Sequence, residues 1–218
     1  MISLIITTYN YASYVERAIR SALDQSLDNH KYEILVVNDA STDRTKAVLE
    51  NYQDECRIYN LEENVGLSAA RNFGIRKAKG QFVMFLDADD YIHRDLLYIT
   101  KLHLEENNQL DAVCTDYWLV DERGNHIKHV SAAEEPIACG ILFRKDFLYN
   151  IGLYDEAFRA REEEDLSIRW KKKYGVHRIL LPLYRYRMHS NNLTKDEEAM
   201  DFGADLLKSK HQKWKLHS

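Results

Sequence analysis

The stretch QFVMFLDADDYI, residues 81–92, decides how the rest of the chain is interpreted. An apolar run ends directly in three acids, Asp87, Asp89 and Asp90. The run predicts a buried strand, and the acids predict either a solvated loop or a site for a positively charged group. Asp87 and Asp89 stand two apart, so on an extended backbone both carboxylates point the same way. Such a pair suits a divalent cation that also binds phosphate oxygens.

The composition is that of one globular domain. The chain has 218 residues, of which 45% are hydrophobic and 30% charged, and its formal net charge is −5. The mild acidity gives no support to nucleic-acid binding, so we expect no such partner. The three cysteines lack CxxC spacing, which argues against disulfides or zinc and favours the cytoplasm. The N-terminus lacks the features of a signal peptide, and no apolar run is long enough to cross a bilayer.

Strands alternate with helices in the first ninety residues. Apolar patterns predict strands over 3–8, 33–38, 57–62 and 81–87 and helices over 12–25 and 66–78. This alternation predicts a mostly parallel sheet covered by helices on both faces. In such sheets ligands bind beyond the carboxyl ends of the strands. Three polar clusters fall there, at 7–10, 38–43 and 87–90, and we therefore expect them to form one site.

The pattern is less regular after residue 92. It predicts a helix near 94–107, strands over 110–120, 125–130 and 178–189, and helices over 161–175 and 195–216. The sequence shows no internal repeat and no linker, so 1–218 is predicted to be a single domain. The basic tail, with Lys208, Lys210, Lys213 and Lys215 near Trp214, is either a solvated helix or a peripheral contact with an anionic membrane.

Four ordered motifs resemble those of the inverting nucleotide-sugar glycosyltransferases of family 2, which have the GT-A fold. The motifs are ITTYN at 6–10, VNDASTD at 37–43, NVGLSAARNFGI at 64–75 and FLDADD at 85–90. The second half of the chain resembles the family more loosely. The resemblance implies an α/β GT-A fold: a Rossmann-like, mostly parallel central sheet flanked by helices, with a smaller acceptor-side subregion. It divides the domain into a nucleotide-sugar-binding half, 1–92, an acceptor-binding half, 93–194, and a helical tail, 195–218.

The resemblance also implies roles at the donor side of the site. Thr7, Tyr9, Asn10 and Asp39 would line the base pocket, with Tyr9 packing on the base and Asp39 accepting a base N–H. Arg71 would reach the nucleotide from the third helix. The common family motif DDGS reads NDAS here, so this loop departs from the pattern at residues 38 and 40.

The resemblance places the metal at the D-x-D motif. Asp89 would be the more direct ligand of the metal, Mn²⁺ or Mg²⁺, Asp87 would lie nearer the ribose or the metal, and Ala88 would contact the nucleotide. His189 ends the last predicted strand and is either a second metal ligand or an ordinary surface or packing residue.

The acidic run at 162–165 is the candidate source of the general base. Direct displacement at a sugar needs a base for the acceptor hydroxyl, and crowding raises the pKa of a carboxylate toward neutrality. In the family an E-D pair opens this helix, and the resemblance aligns it with Glu164 and Asp165. We therefore predict Asp165 as the base, with Glu164 as the alternative. A helix start stabilised by the dipole, with no chemistry, is the other interpretation.

The predicted activity is transfer of a sugar from a nucleotide diphosphosugar, a UDP-sugar in the first place, to a glycan or lipid-linked acceptor with inversion. We expect the enzyme in the cytoplasm, at the inner face of the membrane if the tail binds lipid. A haloacid-dehalogenase-type phosphatase would carry its acids on the first strand. A nucleotidyltransferase would need a glycine-rich loop in place of TTYNYAS. The remaining alternative is a non-catalytic relative that binds a sugar nucleotide or a partner.

Overall fold

The structure is a computed structural model that describes residues 1–189 and 197–211. Its first half contains β1 (Ile2–Thr8), α1 (Val15–Leu23), β2 (Tyr32–Asn38), α2 (Thr45–Glu50), β3 (Arg57–Asn60), α3 (Leu67–Lys77) and β4 (Phe82–Asp87). The strands lie in the order β3-β2-β1-β4, and all three pairings are parallel. Buried apolar runs fill β1, β2 and β4, as expected for strands covered on both faces. The strands and helices predicted for this half are confirmed.

Helix α3 packs unusually close to the central strand. A Cβ built on Gly74 would lie 2.6 Å from Cγ2 of Ile5, so only glycine permits this approach. The close packing fixes the height and rotation of α3 over the sheet. The polar side chains of α3 therefore project at defined positions beyond the strand ends.

The second half completes the sheet with mixed pairings. It contains β5 (Tyr91–Ile92), α4 (Leu96–Glu106), β6 (Ala112–Val120), β7 (His126–Val130), β8 (Ile141–Arg144), α5 (Lys145–Asn150), α6 (Glu162–Lys171), β9 (His177–Arg187) and α7 (Glu197–His211). The strand order continues β4-β8-β6-β9-β5, with β7 on β6. Strand β8, which the sequence pattern did not predict, runs antiparallel to both β4 and β6.

The predicted C-terminal helix is described as far as His211. Three residues of the basic tail, Lys213, Trp214 and Lys215, lie outside the described residues. Within 1–189 and 197–211, no helix has both the length and the apolar character needed to cross a membrane.

The strand register places the predicted site residues side by side at the same position along neighbouring strands. Thr7 of β1 lies opposite Val37 of β2 on one side and Asp87 of β4 on the other. Just past β2, the backbone N–H of Asp39 donates to the carbonyl of Thr8 at 2.9 Å. The polar clusters that follow the three strands therefore meet at one edge of the sheet.

Candidate active site

A cleft of about 1570 Å³ opens at the carboxyl ends of β1, β2 and β4. The predicted site residues that line it are Thr7, Tyr9, Asn10, Asp39, Arg71, Asp87, Ala88 and Asp89. The second half of the chain contributes lining residues from 135–139, from 156–163 and from α7. The expectation that the three polar clusters form one site agrees with this geometry.

The buried carboxylate of Asp39 organises the entry to α3. One oxygen accepts the backbone N–H of Val65 at 2.8 Å, and the other accepts that of Gly66 at 2.9 Å. The Asn64 amide donates to the same carboxylate at 3.1 Å. Gly66 has a φ of +86°, a backbone conformation that favours glycine, and α3 begins directly after it. A base N–H would use the remaining acceptor capacity of Asp39, and this contact stays a prediction.

Asn10 ties the loop after β1 to the loop after β2. Its Oδ1 accepts the backbone N–H of Thr42 at 2.8 Å, and its own backbone N–H donates to Oγ of Ser41 at 2.9 Å. Thr7 is almost buried, whereas Tyr9 is 43% exposed at the mouth of the cleft. An exposed aromatic ring on a fixed loop offers a face on which a base could stack.

Two residues depart from the family motif in this loop: Asn38 stabilises its geometry, whereas Ala40 strains it. The amide of Asn38 donates to Oδ1 of Asn60 at 2.8 Å, and its Oδ1 accepts the backbone N–H of Ser41 at 3.1 Å. An aspartate at position 38 would have no donor for Asn60. Ala40, where the motif has glycine, has a φ of +56°, in the left-handed region that favours glycine.

Arg71 joins the two halves of the cleft. Its guanidinium is fully buried, donating from Nη1 to Oε1 of Glu162 at 2.7 Å and from Nη2 to Oδ1 of Asp87 at 2.9 Å. A buried cation requires such partners. Arg71 lines the cleft, but these two bonds make it a link between the end of β4 and the start of α6. Its predicted contact with the nucleotide stays a prediction.

Neighbouring polar residues on α3 strengthen the same link. Oγ of Ser68 donates to the carbonyl of Phe158 at 3.1 Å. The amide of Asn72 donates to the carbonyl of Tyr154 at 2.9 Å and accepts its backbone N–H at 3.0 Å. The SAARN segment thus attaches residues 154–162 to the nucleotide-binding half of the domain.

The three aspartates after β4 have different partners. Asp87 pairs with Arg71, as described. Asp90 accepts the hydroxyl of Tyr184 and the backbone N–H of Arg187, both at 2.7 Å, and so attaches β9 to the end of β4. Burial, reinforced by the neighbouring carboxylates, raises the pKa of Asp90 well above its ordinary value.

Asp89 lines the cleft and contacts His189, which is not among the lining residues. Oδ2 of Asp89 lies 2.8 Å from Nε2 of His189, and both residues are buried. Burial and the charge of Asp87 raise the pKa of Asp89, against the opposing effect of the His189 bond. The imidazole stacks on Tyr14, with ring centroids 4.7 Å apart, and meets Tyr11 edge-on. These aromatic contacts hold the imidazole in place beside the carboxylate.

The Asp89–His189 pair fits a metal ion that is bound together with a diphosphate. Among the described residues, no group of three or more His, Cys, Asp or Glu side chains is arranged to hold a metal. Mg²⁺ at phosphate-transfer sites commonly takes one or two carboxylates from the protein and its other ligands from phosphate and water. A carboxylate and an imidazole side by side are compatible with that kind of site, and with Mn²⁺ in the same role.

The four acidic side chains that open α6 point in different directions around the helix. Glu162 and Glu163 line the cleft, whereas Glu164 is exposed and bonded to Arg161 at 2.9 Å. Burial raises the pKa of Glu162 to about 7, against the opposing charge of Arg71. Glu163 is half-buried, and its carboxylate has no hydrogen bond or ion pair with any of the described residues. Glu163 is therefore a carboxylate in the cleft that remains available to a ligand.

Asp165 lies outside the cleft lining, fully buried beside three basic side chains. It is 2.6 Å from Nη2 of Arg169, 2.8 Å from Nζ of Lys210 and 2.8 Å from Nε2 of His211. Burial alone would raise the pKa of Asp165, but hydrogen bonds from these three groups hold it below its ordinary value. A carboxylate that accepts hydrogen bonds from an arginine, a lysine and a histidine is a weak proton acceptor. The geometry therefore does not support Asp165, or the exposed Glu164, as the general base that the sequence predicted.

Known proteins share both the sequence pattern and the fold. The family model described as glycosyl transferase family 2 matches residues 3–171. An uncharacterized glycosyltransferase of Rickettsia felis is 30% identical, and the alignment covers 89% of this chain and 35% of that protein. The chain spans about a third of the length of the first curated relatives it matches.

Two solved structures show the same architecture. S. aureus TarS 1–349 in complex with UDP-GlcNAc superposes with a TM-score of 0.79 at 21% identity, covering 95% of this chain and 66% of that one. The mannosyltransferase PcManGT from Pyrobaculum calidifontis, in complex with GDP-Man and Mn²⁺, superposes with a TM-score of 0.75 at 19% identity, covering 97% and 64%. At these identities the likeness shows the fold, which is GT-A, as predicted.

The family match covers more than half of the chain and includes all four motifs that line or support the cleft. The predicted family is thus confirmed. The chain belongs to glycosyl transferase family 2.

Proposed function

We propose that the enzyme transfers a sugar from a nucleotide diphosphosugar, a UDP-sugar in the first place, to a hydroxyl of a glycan or lipid-linked acceptor with inversion at the anomeric carbon. The observation that carries the proposal is the single cleft that joins Asp39, Asp87 and Asp89, at the strand ends, to Glu163 on α6. The nucleotide sugars bound in the two structural neighbours support this class of donor.

The donor is bound by the strand-end loops. The base stacks on Tyr9 and donates an N–H to Asp39, and the ribose lies toward Asp87. A divalent cation held by Asp89 and His189, Mn²⁺ or Mg²⁺, would supply positive charge for the diphosphate leaving group. Arg71 positions Asp87 through their 2.9 Å bond and does not need to contact the donor itself.

The acceptor hydroxyl is activated by Glu163. The neighbouring Glu162 is held by Arg71 at 2.7 Å, which fixes the first turn of α6 and with it the direction of Glu163. Glu163 removes the proton as the acceptor oxygen attacks the anomeric carbon on the face away from the diphosphate, so the configuration inverts. In this proposal Glu163 replaces Asp165, whose carboxylate lies outside the cleft lining and is paired with Arg169, Lys210 and His211.

Glu163→Gln tests the proposed base. The substitution keeps the size of the side chain, so UDP binding should be unchanged while sugar transfer falls by roughly 10²–10⁴-fold, the usual contribution of a general base. Transfer is followed as UDP release from a panel of UDP-sugars with Mn²⁺. Glu164→Gln makes the same change on the adjacent exposed residue and should retain activity. Full activity of Glu163→Gln would contradict the assignment.

Contact of the C-terminal tail with an anionic membrane remains part of the proposal, as does a location at the cytoplasmic face. Lys210 is engaged by Asp155 and Asp165, so it is less available to lipid than its position in the sequence indicated. Co-sedimentation with anionic vesicles, comparing the full chain with one truncated before residue 212, tests this part. Equal binding of the two chains would contradict a role for the last seven residues.

A further inference from the structure

Helix α7 forms a wall of the cleft that the proposed chemistry leaves unexplained. Its residues Glu198, Ala199, Met200 and Phe202 line the cleft, together with residues 156–163 that include Glu163. Phe202 is 53% exposed. Because Phe202 lines the cleft and stays exposed, its ring offers a flat apolar face to a ligand bound there.

One face of α7 fastens the helix to the rest of the domain. A Cβ built on Gly203 would lie 2.6 Å from the carbonyl oxygen of Ala160, so the helix approaches the chain there as closely as glycine allows. Leu207 is buried one turn later. After another turn, Lys210 and His211 reach Asp165. The spacing of these contacts is that of one helical face.

Asp165 is the electrostatic centre of this attachment. It lies on α6 and accepts Lys210 and His211 from α7, each at 2.8 Å, as well as Arg169 from its own helix. Lys210 also pairs with Asp155 at 2.6 Å. Because α6 carries Glu163 into the cleft two residues before Asp165, the same helix sets the position of the candidate base and of the α7 wall.

We infer that α7 is the acceptor-side wall of the cleft, that Phe202 packs on a sugar ring of the acceptor, and that Asp165 is a positioning residue acting through α7. The inference rests on the proposed function, because the acceptor hydroxyl must reach Glu163 and α7 lines the cleft beside it. The ligand class follows from the surface: the C–H face of a pyranose ring packs on an exposed phenyl ring. Specificity for particular hydroxyl groups of the sugar would come from polar side chains elsewhere in the cleft.

The test compares Phe202→Ala with Phe202→Tyr, which keeps the ring. Lys208→Ala is the matched control, since Lys208 lies on α7 and pairs only with Asp205 of the same helix among the described residues. The probes are the methyl glycosides of glucose, galactose and N-acetylglucosamine, observed by NMR with the full chain in UDP and Mn²⁺. We expect the unmodified chain, Phe202→Tyr and Lys208→Ala to bind at least one glycoside equally. Phe202→Ala should bind it at least fivefold more weakly, with UDP affinity unchanged.

Asp165→Asn tests the positioning role in the same assay. We expect weaker glycoside binding, faster amide hydrogen exchange across α7 and unchanged UDP affinity. Two results, obtained while UDP still binds, would overturn the inference. One is equal glycoside binding by Phe202→Ala and the unmodified chain, and the other is no glycoside binding by the unmodified chain. Failure of the unmodified chain to bind UDP would instead count against the proposed function.

Discussion

Asp165→Asn separates an anchor from a catalytic base, because the two roles predict different losses. The substitution keeps the shape of the side chain but removes the negative charge that faces Arg169, Lys210 and His211. Removing one partner of a buried ion pair typically costs about 3–5 kcal/mol. The side chains of Lys210 and Arg169 are 31% and 17% exposed and can recover some hydration, so we expect about 2–3 kcal/mol.

The loss should be visible in thermal unfolding and should depend on pH. For a domain of this size 1 kcal/mol shifts the Tm by roughly 2–4 °C, so the variant should melt about 4–12 °C lower at neutral pH. The pKa of Asp165 is lowered in the folded state, so the unfolded chain binds more protons in acid. The contribution of Asp165 is therefore complete above its unfolded pKa and is lost as the pH falls through the folded value. The difference in Tm between Asp165→Asn and the unmodified chain should therefore shrink as the pH falls.

Circular dichroism melts at several pH values, beside a UDP-release assay, provide the measurement. Glu164→Gln is the control, since Glu164 is 46% exposed in its pair with Arg161 and should change stability by less than about 0.5 kcal/mol. An unchanged Tm for Asp165→Asn together with a 100-fold or greater loss of transfer would refute the anchor role and restore Asp165 as the base.

Three further substitutions test other parts of the structure. Ala40→Gly should stabilise the protein by up to about 1 kcal/mol in urea denaturation, because a non-glycine residue at φ +56° is strained, and a lower midpoint would contradict this. Gly203→Ala should displace α7 from Ala160 and speed amide exchange along that helix; unchanged exchange would contradict the close contact. Tyr184→Phe should cost about 1–3 kcal/mol, because buried Asp90 loses its 2.7 Å hydroxyl donor, and an unchanged unfolding midpoint would argue against that bond.

Most of the parallel half of the fold could be predicted because β1, β2 and β4 are long, apolar and buried on both faces. Strand β8, Ile141–Arg144, was not predicted, although it is as long as β3. Its place between β4 and β6 depends on contacts distant in sequence. The antiparallel pairings of β8 and of β5 with β9 follow from such long-range contacts, whereas β6 and β7 form a local hairpin.

The donor side of the site could be predicted because its polar residues follow the ends of predicted strands. The general base could not be predicted, because four consecutive acids at 162–165 do not show which one faces the cleft. A signal was nevertheless present in α6. Glu162, Leu166 and Trp170 recur every four residues and are all buried, which sets the phase of the helix. Asp165 stands four residues before Arg169, the spacing of an intrahelical ion pair. Both patterns place Asp165 away from Glu163 and its cleft.

Calorimetric titration of UDP into the full chain, with Mn²⁺ and with EDTA, tests the central claim most directly. The account predicts binding with Mn²⁺, much weaker binding in EDTA, and loss of the Mn²⁺ effect in Asp89→Ala. Equal affinity with Mn²⁺ and EDTA, an undiminished Mn²⁺ effect in Asp89→Ala, or no UDP binding under either condition would contradict a UDP–metal site at the strand ends.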